Sequence, residues 1–253
     1  MSVSLAYRGG PYPAPEDVLS LTPDLIATLE KITTATITTM LLKKGIRRCW
    51  MSGPMPFSGD TGKRLVGPAF TLRFVPVRED LATPASWAAP ISTRGAIEAM
   101  PEGCIAIADA MGVKSAGIFG DILCMRMVRR GVKALVTDGV VRDKAGVVAT
   151  GLPTWCAGTA APASVNGLTF VGWQEPIACG GVAVFPDDVV VLDDDGVVLI
   201  PKDLVEFVAA EGEEHERYET WVVSEVERGV KLPGLYPPND EAKARYEAWK
   251  KGA

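Results

Sequence analysis

The chain has 253 residues, 47% of them apolar and 23% charged, with a formal net charge of −5. That length suits one α/β unit with a full core and terminal extensions, and no apolar window reaches the roughly 18 residues needed to cross a bilayer. The acidity is mild and the basic residues are dispersed apart from Lys43-Lys44, Arg47-Arg48 and Arg129-Arg130, so no continuous nucleic-acid surface is visible and a small molecule or a protein is the expected partner.

Residues 1–21 read as a proline-rich extended arm, without the basic start and apolar run of a secretory signal, and the chain is expected to be cytoplasmic. Thr22-Pro23-Asp24 opens a helix through Leu25, Leu29 and Ile32, with Thr22 as N-cap. A second helix is expected near Thr36 to Lys44, ended by Gly45. Leu65 to Val75 and Cys104 to Ala108 read as buried strands, with an irregular insertion from Pro76 to Pro90 between them. Asp121 to Arg130 is helical, closes at Gly131 and leads into a strand at Ala134 to Thr137, the alternation of a βαβ unit. From Leu152 the pattern turns to short strands around 154–157, 169–172, 182–184, 189–192 and 197–200, which indicates a β-rich layer. Asp193-Asp194-Asp195-Gly196 lacks the alternating ligands of a calcium loop and reads as a hairpin turn, and Gly180-Gly181, a weak phosphate-loop signal, reads better as a turn. Lys202 to Val226 returns to helix. The main domain is taken as 22–229, with 230–253 a tail carrying a short helix through Ala242, Tyr246 and Trp249.

Five cysteines without a CxxC pair suit neither a disulfide framework nor a structural zinc site. The single histidine, His215, rules out a multi-histidine metal centre, so any metal must be held mainly by oxygen. His215 is expected to be exposed. Cys124 is expected in the core, and Lys114 has no flanking pattern that marks a Schiff-base lysine. The informative segment runs from Gly120 to Gly146. Arg142 and Asp143 stand just past a strand end, where α/β sheets bind ligands; there they could hold a carboxylate and a cation together, or form a solvated ion pair. Gly120 and Asp121 precede a helix, so the N–H groups of Asp121, Ile122 and Leu123 could face an anion, or Asp121 could simply cap its own helix. Glu211, Glu213, Glu214, Glu216 and Glu219 form an acidic helix face.

Five segments in order, TATITTMLLKKG, RLVGPAFTLRF, AIEAMPEGCIAIAD, GDIL with VTDGVVRDKAG, and CGGVAVFPDDVVVLDDDGVVLIP, resemble the family of 4-hydroxy-4-methyl-2-oxoglutarate aldolases and the RraA-like proteins that regulate ribonuclease E. The resemblance runs from about Ile32 to Glu219. It implies an α/β/β swivelling-domain-like fold, assembled as a homo-trimer or homo-hexamer, and a class II pyruvate aldolase acting on a 2-oxo acid. It assigns Asp143 to a divalent metal, Mg²⁺ or Mn²⁺, and Arg142 to substrate oxygens and a catalytic water. Asp121 would serve metal-bound water, while Gly120, Ile122 and Leu123 would form the seat of the pyruvyl carboxylate. One of Glu213, Glu214, Glu216 or Glu219 would reach in from the neighbouring subunit. Mg²⁺ chemistry suits this assignment, because that ion keeps many waters and needs few protein ligands.

This chain departs from the family pattern at Thr38-Thr39-Met40, where an aspartate is usual, and at Trp155-Cys156-Ala157-Gly158, where a basic residue is usual. The Pro76 to Pro90 stretch and the tail beyond Gly229 exceed the usual length. These differences bear on the substrate and leave the metal centre intact. The acidic helix has no evident cationic partner nearby in sequence and an apolar face through Tyr218, Trp221 and Val222, so a neighbouring subunit is expected to cover it.

Overall fold

The computed structural model describes residues 21–58 and 62–252; nearly all of the expected arm, residues 1–20, lies outside them. Helix α1 (Pro23–Leu29) starts as anticipated, with the Thr22 hydroxyl accepting from the Leu25 N–H at 3.2 Å. Helix α2 (Thr34–Lys43) begins earlier than the expected Thr36, because Thr33 is the cap and its hydroxyl accepts from the Thr36 N–H at 3.1 Å. The strands that follow are β1 (Met55–Ser58), β2 (Leu65–Pro76), β3 (Ile105–Asp109), β4 (Ala134–Thr137), β5 (Thr154–Cys156), β6 (Leu168–Trp173), β7 (Ile177–Cys179), β8 (Val182–Val184), β9 (Val189–Asp193) and β10 (Gly196–Ile200). The remaining helices are α3 (Thr93–Ala99), α4 (Asp121–Arg129), α5 (Lys144–Ala149), α6 (Val205–Glu227) and α7 (Asp240–Gly252).

β2 to β5 lie side by side in parallel, β1 closes one end antiparallel to β5, and β9 and β10 extend the sheet antiparallel beyond β2. β2 changes partner along its length, pairing through Leu65–Pro68 with β9 and through Leu72–Pro76 with β6. β7 and β8 form a separate hairpin turned by Gly180-Gly181. The Asp193–Gly196 turn between β9 and β10 is the hairpin read from the sequence.

Side-chain alternation along the strands builds three cores. Ala106, Ala108 and Leu135 face α3, α4 and α5 through Met100, Cys124, Met127 and Val147. Their neighbours Ile105, Ile107 and Val136 face the opposite way, onto the β7–β8 hairpin and one face of β9 and β10. The other face of β9 and β10, through Val189, Val191, Val198 and Ile200, is covered by α1, α2 and α6. The result is an α/β fold with helices outside two β layers. Among the described residues no single helix is long and apolar enough to cross a membrane.

Several expectations change. The charged loop after β4 contains α5, whose six residues are too short to show a helical period. The Pro76 to Pro90 stretch is not wholly irregular, since Pro84–Ala88 forms a 3₁₀ turn. Helix α3 and strand β1 were not anticipated, although Ser92 caps α3 by accepting from the Gly95 N–H. The apolar face of α6 is not left for a neighbour: Trp221 and Val222 are buried with Leu235, Ala242 and Tyr246 of the chain's own C-terminal segment. The acidic run also has cationic partners, Arg217 one turn away and Lys250 from α7, both on Glu214. His215 is half-buried rather than exposed, with its Nε2 3.2 Å from Glu219 Oε1.

Candidate active site

The loops leaving the carboxyl ends of β3, β4 and β5 meet at one edge of the parallel strands, where open α/β sheets bind ligands. Gly117 bridges in parallel to Val140 and to Ala163, and Val141 bridges to Thr159. The Arg142 N–H donates to the Phe119 carbonyl at 2.9 Å, tying the loop after β4 to the start of α4. Beneath them, Asp138 acts as a brace. Its Oδ1 accepts from the Ala110 N–H at 2.8 Å, and its Oδ2 accepts from the N–H groups of Gly112 at 3.1 Å and Gly180 at 3.3 Å. Burial pushes the Asp138 carboxyl above its ordinary value against those hydrogen bonds, as expected of a structural carboxylate in a dry setting. Neighbouring Asp109 accepts from Met111 and Ala178.

These loops frame a cleft of about 290 Å³. Gly120, Asp121, Ile122, Leu123, Arg142 and Asp143 all line it, so the candidates drawn from two separate stretches of sequence come together. Asp143 is the N-cap of α5 and adopts a left-handed backbone, φ 54° and ψ 49°, which a non-glycine residue holds only at a cost of about 1–2 kcal/mol. Arg142 Nε donates to Asp143 Oδ2 at 3.0 Å, with the two side chains 37% and 44% exposed. The ion pair exists, but it is open to a ligand and is not enclosed in the core.

Two glycines keep the carboxylates where they are by close approach. A Cβ on Gly120 would run into Asp143 Oδ2, and one on Gly146 would lie 2.7 Å from the Asp121 side chain. The spacing Gly-Asp followed by Arg-Asp-x-x-Gly therefore has a steric cause. Helix α4 begins at Gly120 with no side-chain cap, so its first-turn N–H groups are presented to the cleft. Asp121 does partly cap its own helix, its Oδ1 accepting from the Ile122 N–H at 2.7 Å. A carboxylate can use the Ile122 N–H only once Asp121 turns away. Burial pushes the Cys124 thiol, one turn into α4, up to about 12, which removes it as a nucleophile.

The donor set is oxygen-only. Among the described residues no three His, Cys, Asp or Glu side chains cluster to cage a metal. A hard cation here would lean on Asp143 and keep most of its waters, which suits Mg²⁺ or Mn²⁺ and disfavours zinc. The α6 glutamates are elsewhere. None of Glu213, Glu214, Glu216 or Glu219 lines this cleft of its own chain. Glu213 pairs with Lys31, Glu214 with Lys250, and Glu219 with His215, while Glu216 Oε1 accepts from the Thr33 N–H and hydroxyl at 2.8 Å each.

The sequence reading missed Trp87, Thr93 and Arg94, which form the outer wall of the cleft. The signal that could have found them is Ser92 ahead of Ala96, Ile97 and Met100, a helix start whose first turn carries Arg94. A roomier recess of about 560 Å³ lies near Glu30, Lys63, Arg64 and Asp193. Its Asp193 is already committed to the Thr34 N–H and hydroxyl, the Asp195 N–H and Arg64, so the smaller cleft is the better candidate.

Parallel strands whose end loops set an arginine and two aspartates beside the N-terminus of a helix define an α/β protein with a charged cleft at the carboxyl ends of its strands. The chain belongs to the RraA-like family, Aldolase/RraA, whose pattern residues 34–199 match. It is 35% identical over 140 residues to a Halalkalibacterium halodurans protein provisionally named a 4-hydroxy-4-methyl-2-oxoglutarate aldolase, covering 55% of this chain and 60% of that one. It is 29% identical over 147 residues to protein DlpA of Legionella pneumophila, covering 58% of this chain and 23% of DlpA. The match thus spans less than two thirds of either relative. The crystal structure of Streptomyces coelicolor RraAS2, described as an unusual member of the RNase ES inhibitor RraA protein family, is similar at a TM-score of 0.70 and 34% identity, over 79% of this chain and 96% of that one.

Proposed function

We propose that the chain is a divalent-metal-dependent carbon–carbon lyase that cleaves a 4-hydroxy-2-oxo acid, of the 4-hydroxy-4-methyl-2-oxoglutarate or 4-carboxy-4-hydroxy-2-oxoadipate type, to pyruvate and a second oxo acid. The observation that carries this reading is the meeting of Asp121, Arg142 and Asp143 in one cleft at the N-terminus of α4. In the reaction, a base removes the proton of the C4 hydroxyl, the C3–C4 bond breaks, and its electron pair passes to the pyruvate fragment as an enolate, which is then protonated at C3. Asp143 would hold Mg²⁺ or Mn²⁺, and the bound ion would supply positive charge for the enolate that the cleavage produces. Arg142 holds substrate oxygens with its planar guanidinium and favours a deprotonated water as the base. Asp121 orients that water, and the α4 N–H groups with the helix dipole receive the pyruvyl carboxylate. Oxaloacetate decarboxylation passes through the same enolate and is expected as a second activity.

A coupled pyruvate assay over a panel of 4-hydroxy-2-oxo acids and oxaloacetate tests this. Exhaustive chelation should abolish pyruvate release, added Mg²⁺ or Mn²⁺ should restore it, and borohydride with substrate should leave no covalent adduct. A trapped lysine adduct or metal-independent turnover would overturn the proposal. The 34% identity to RraAS2 favours a second reading, a ribonuclease-binding regulator; inhibition of a ribonuclease E-type nuclease with no pyruvate release from any substrate would select it. Sharing of the site between protomers of a trimer or hexamer rests on the family resemblance alone, since the chain covers the apolar face of α6 itself.

A further inference from the structure

The outer wall of the cleft contains a cation that the reaction scheme does not use. Arg94 stands in the first turn of α3, and its guanidinium lies over the Trp87 ring, 5.0 Å from the ring centre. Trp87 belongs to the 3₁₀ turn Pro84–Ala88 inside the Pro76 to Pro90 stretch. A guanidinium over an indole face is held in place by cation–π attraction while its N–H groups remain able to donate.

The natural helical partner of Arg94 is Glu98, four residues on. That carboxylate is taken: Arg126 of α4 holds it in a two-pronged pair, Nε to Oε1 at 2.7 Å and the second nitrogen to Oε2 at 2.6 Å. Among the described residues Arg94 forms no ion pair, although it lines the same cleft as Arg142 and Asp143. An exposed arginine held over an indole and without a carboxylate, on the wall of that cleft, is arranged to receive one.

Charge balance leads to the same place. The cleft's two arginines and two aspartates cancel. A divalent cation on Asp143 would leave an excess of two positive charges, which a substrate with two carboxylates neutralises and one with a single carboxylate does not. We propose that Arg94, held by Trp87, is a specificity-determining residue that binds the carboxylate at the far end of the substrate from the pyruvyl group. This rests on the lyase reading for the orientation of the substrate, and on the cleft geometry alone for the anion site.

The experiment compares 2-oxoglutarate with 2-oxopentanoate. Both have a five-carbon backbone and neither has a C4 hydroxyl to cleave; only the first has the distal carboxylate. Titration calorimetry with Mg²⁺ present should show 2-oxoglutarate bound about ten- to a hundredfold more tightly by the wild type, the range of one charged hydrogen-bonded pair. In Arg94→Ala that preference should fall towards unity, in Arg94→Lys it should partly survive, and in Trp87→Leu it should be intermediate. Turnover of cleavable substrates with and without a distal carboxylate should lose the same discrimination, through KM more than kcat. An unchanged binding preference in Arg94→Ala, with native circular dichroism, would overturn the proposal. Preference that depends on Arg94 in a protein releasing no pyruvate would keep the anion site and remove the lyase reading. Pyruvate release with discrimination indifferent to Arg94 would do the reverse.

Discussion

The cleft and the C-terminal helices both concentrate charge, and they spend it differently. In the cleft, the Arg142 and Asp143 side chains pair with each other and remain substantially open to solvent, while among the described residues Arg94 forms no ion pair. On α6 every glutamate of the acidic run except Glu211 is engaged within the chain. Glu214 accepts from Tyr246 at 2.9 Å and Lys250 at 2.7 Å, and Glu225, 4% exposed, sits between Arg228 and Arg245. Charges satisfied by the fold stabilise it; charges left unsatisfied by a rigid frame are available to a ligand. The difference separates the candidate site from an acidic stretch that looks equally conspicuous on paper.

The sharpest way to break the comparison is Asp143→Asn. Asparagine tolerates the left-handed backbone at that position and preserves the side-chain shape. Lyase activity should fall on the order of a thousandfold, about 4 kcal/mol in the barrier, whereas urea unfolding should shift by less than about 0.5 kcal/mol. Stability lost together with activity would mean that the pair is structural after all. The converse substitution is Trp221→Ala. It empties the cluster in which Trp221 packs against Tyr218 and Tyr246, at ring separations of 5.8 and 5.6 Å. Unfolding should cost about 3–4 kcal/mol less, with the affinity of the folded protein for a 2-oxo acid retained; lost affinity would show that the two regions are coupled.

The smallest effect is a pH dependence confined to the C-terminal region. Although desolvation opposes it, the Lys250 and Tyr246 hydrogen bonds, helped by the charges of Lys250 and Arg217, hold Glu214 below the ordinary glutamate value. A lowered carboxylate contributes stability that is fully present above its unfolded value near 4.5 and is lost as pH falls through its folded value. Below about pH 4.5, α7 should therefore loosen from α6, seen as a change in tryptophan fluorescence from Trp221 and Trp249. In Glu214→Gln this step should be absent; an identical acid transition in that variant would assign it to other carboxylates.

How much of this was legible in the sequence depended on range. The Thr22 cap, the Asp193–Gly196 turn and the buried strands β2, β3 and β4 are set by local chemistry and short apolar runs, and they stand where the sequence puts them. The Gly120–Asp121 and Arg142–Asp143 pairs were readable as candidates, but their meeting depends on Gly117 bridging two distant loops, which no local pattern encodes. Helix α5 was too short to show a period, and Arg94 becomes visible only when Trp87 is brought over it. The error about α6 came from judging its apolar face without the tail. Tyr246 and Leu235 cover it from positions whose own spacing gives no hint of what they pack on.

The change of partner along β2 bears on the order in which the protein is made. As the chain leaves the ribosome, β2 finds β3 within a few tens of residues, but β6 and β9 emerge only about a hundred residues later. Until then one edge of a long apolar strand has no mate, and the half-made protein is at its most vulnerable to pairing with another chain.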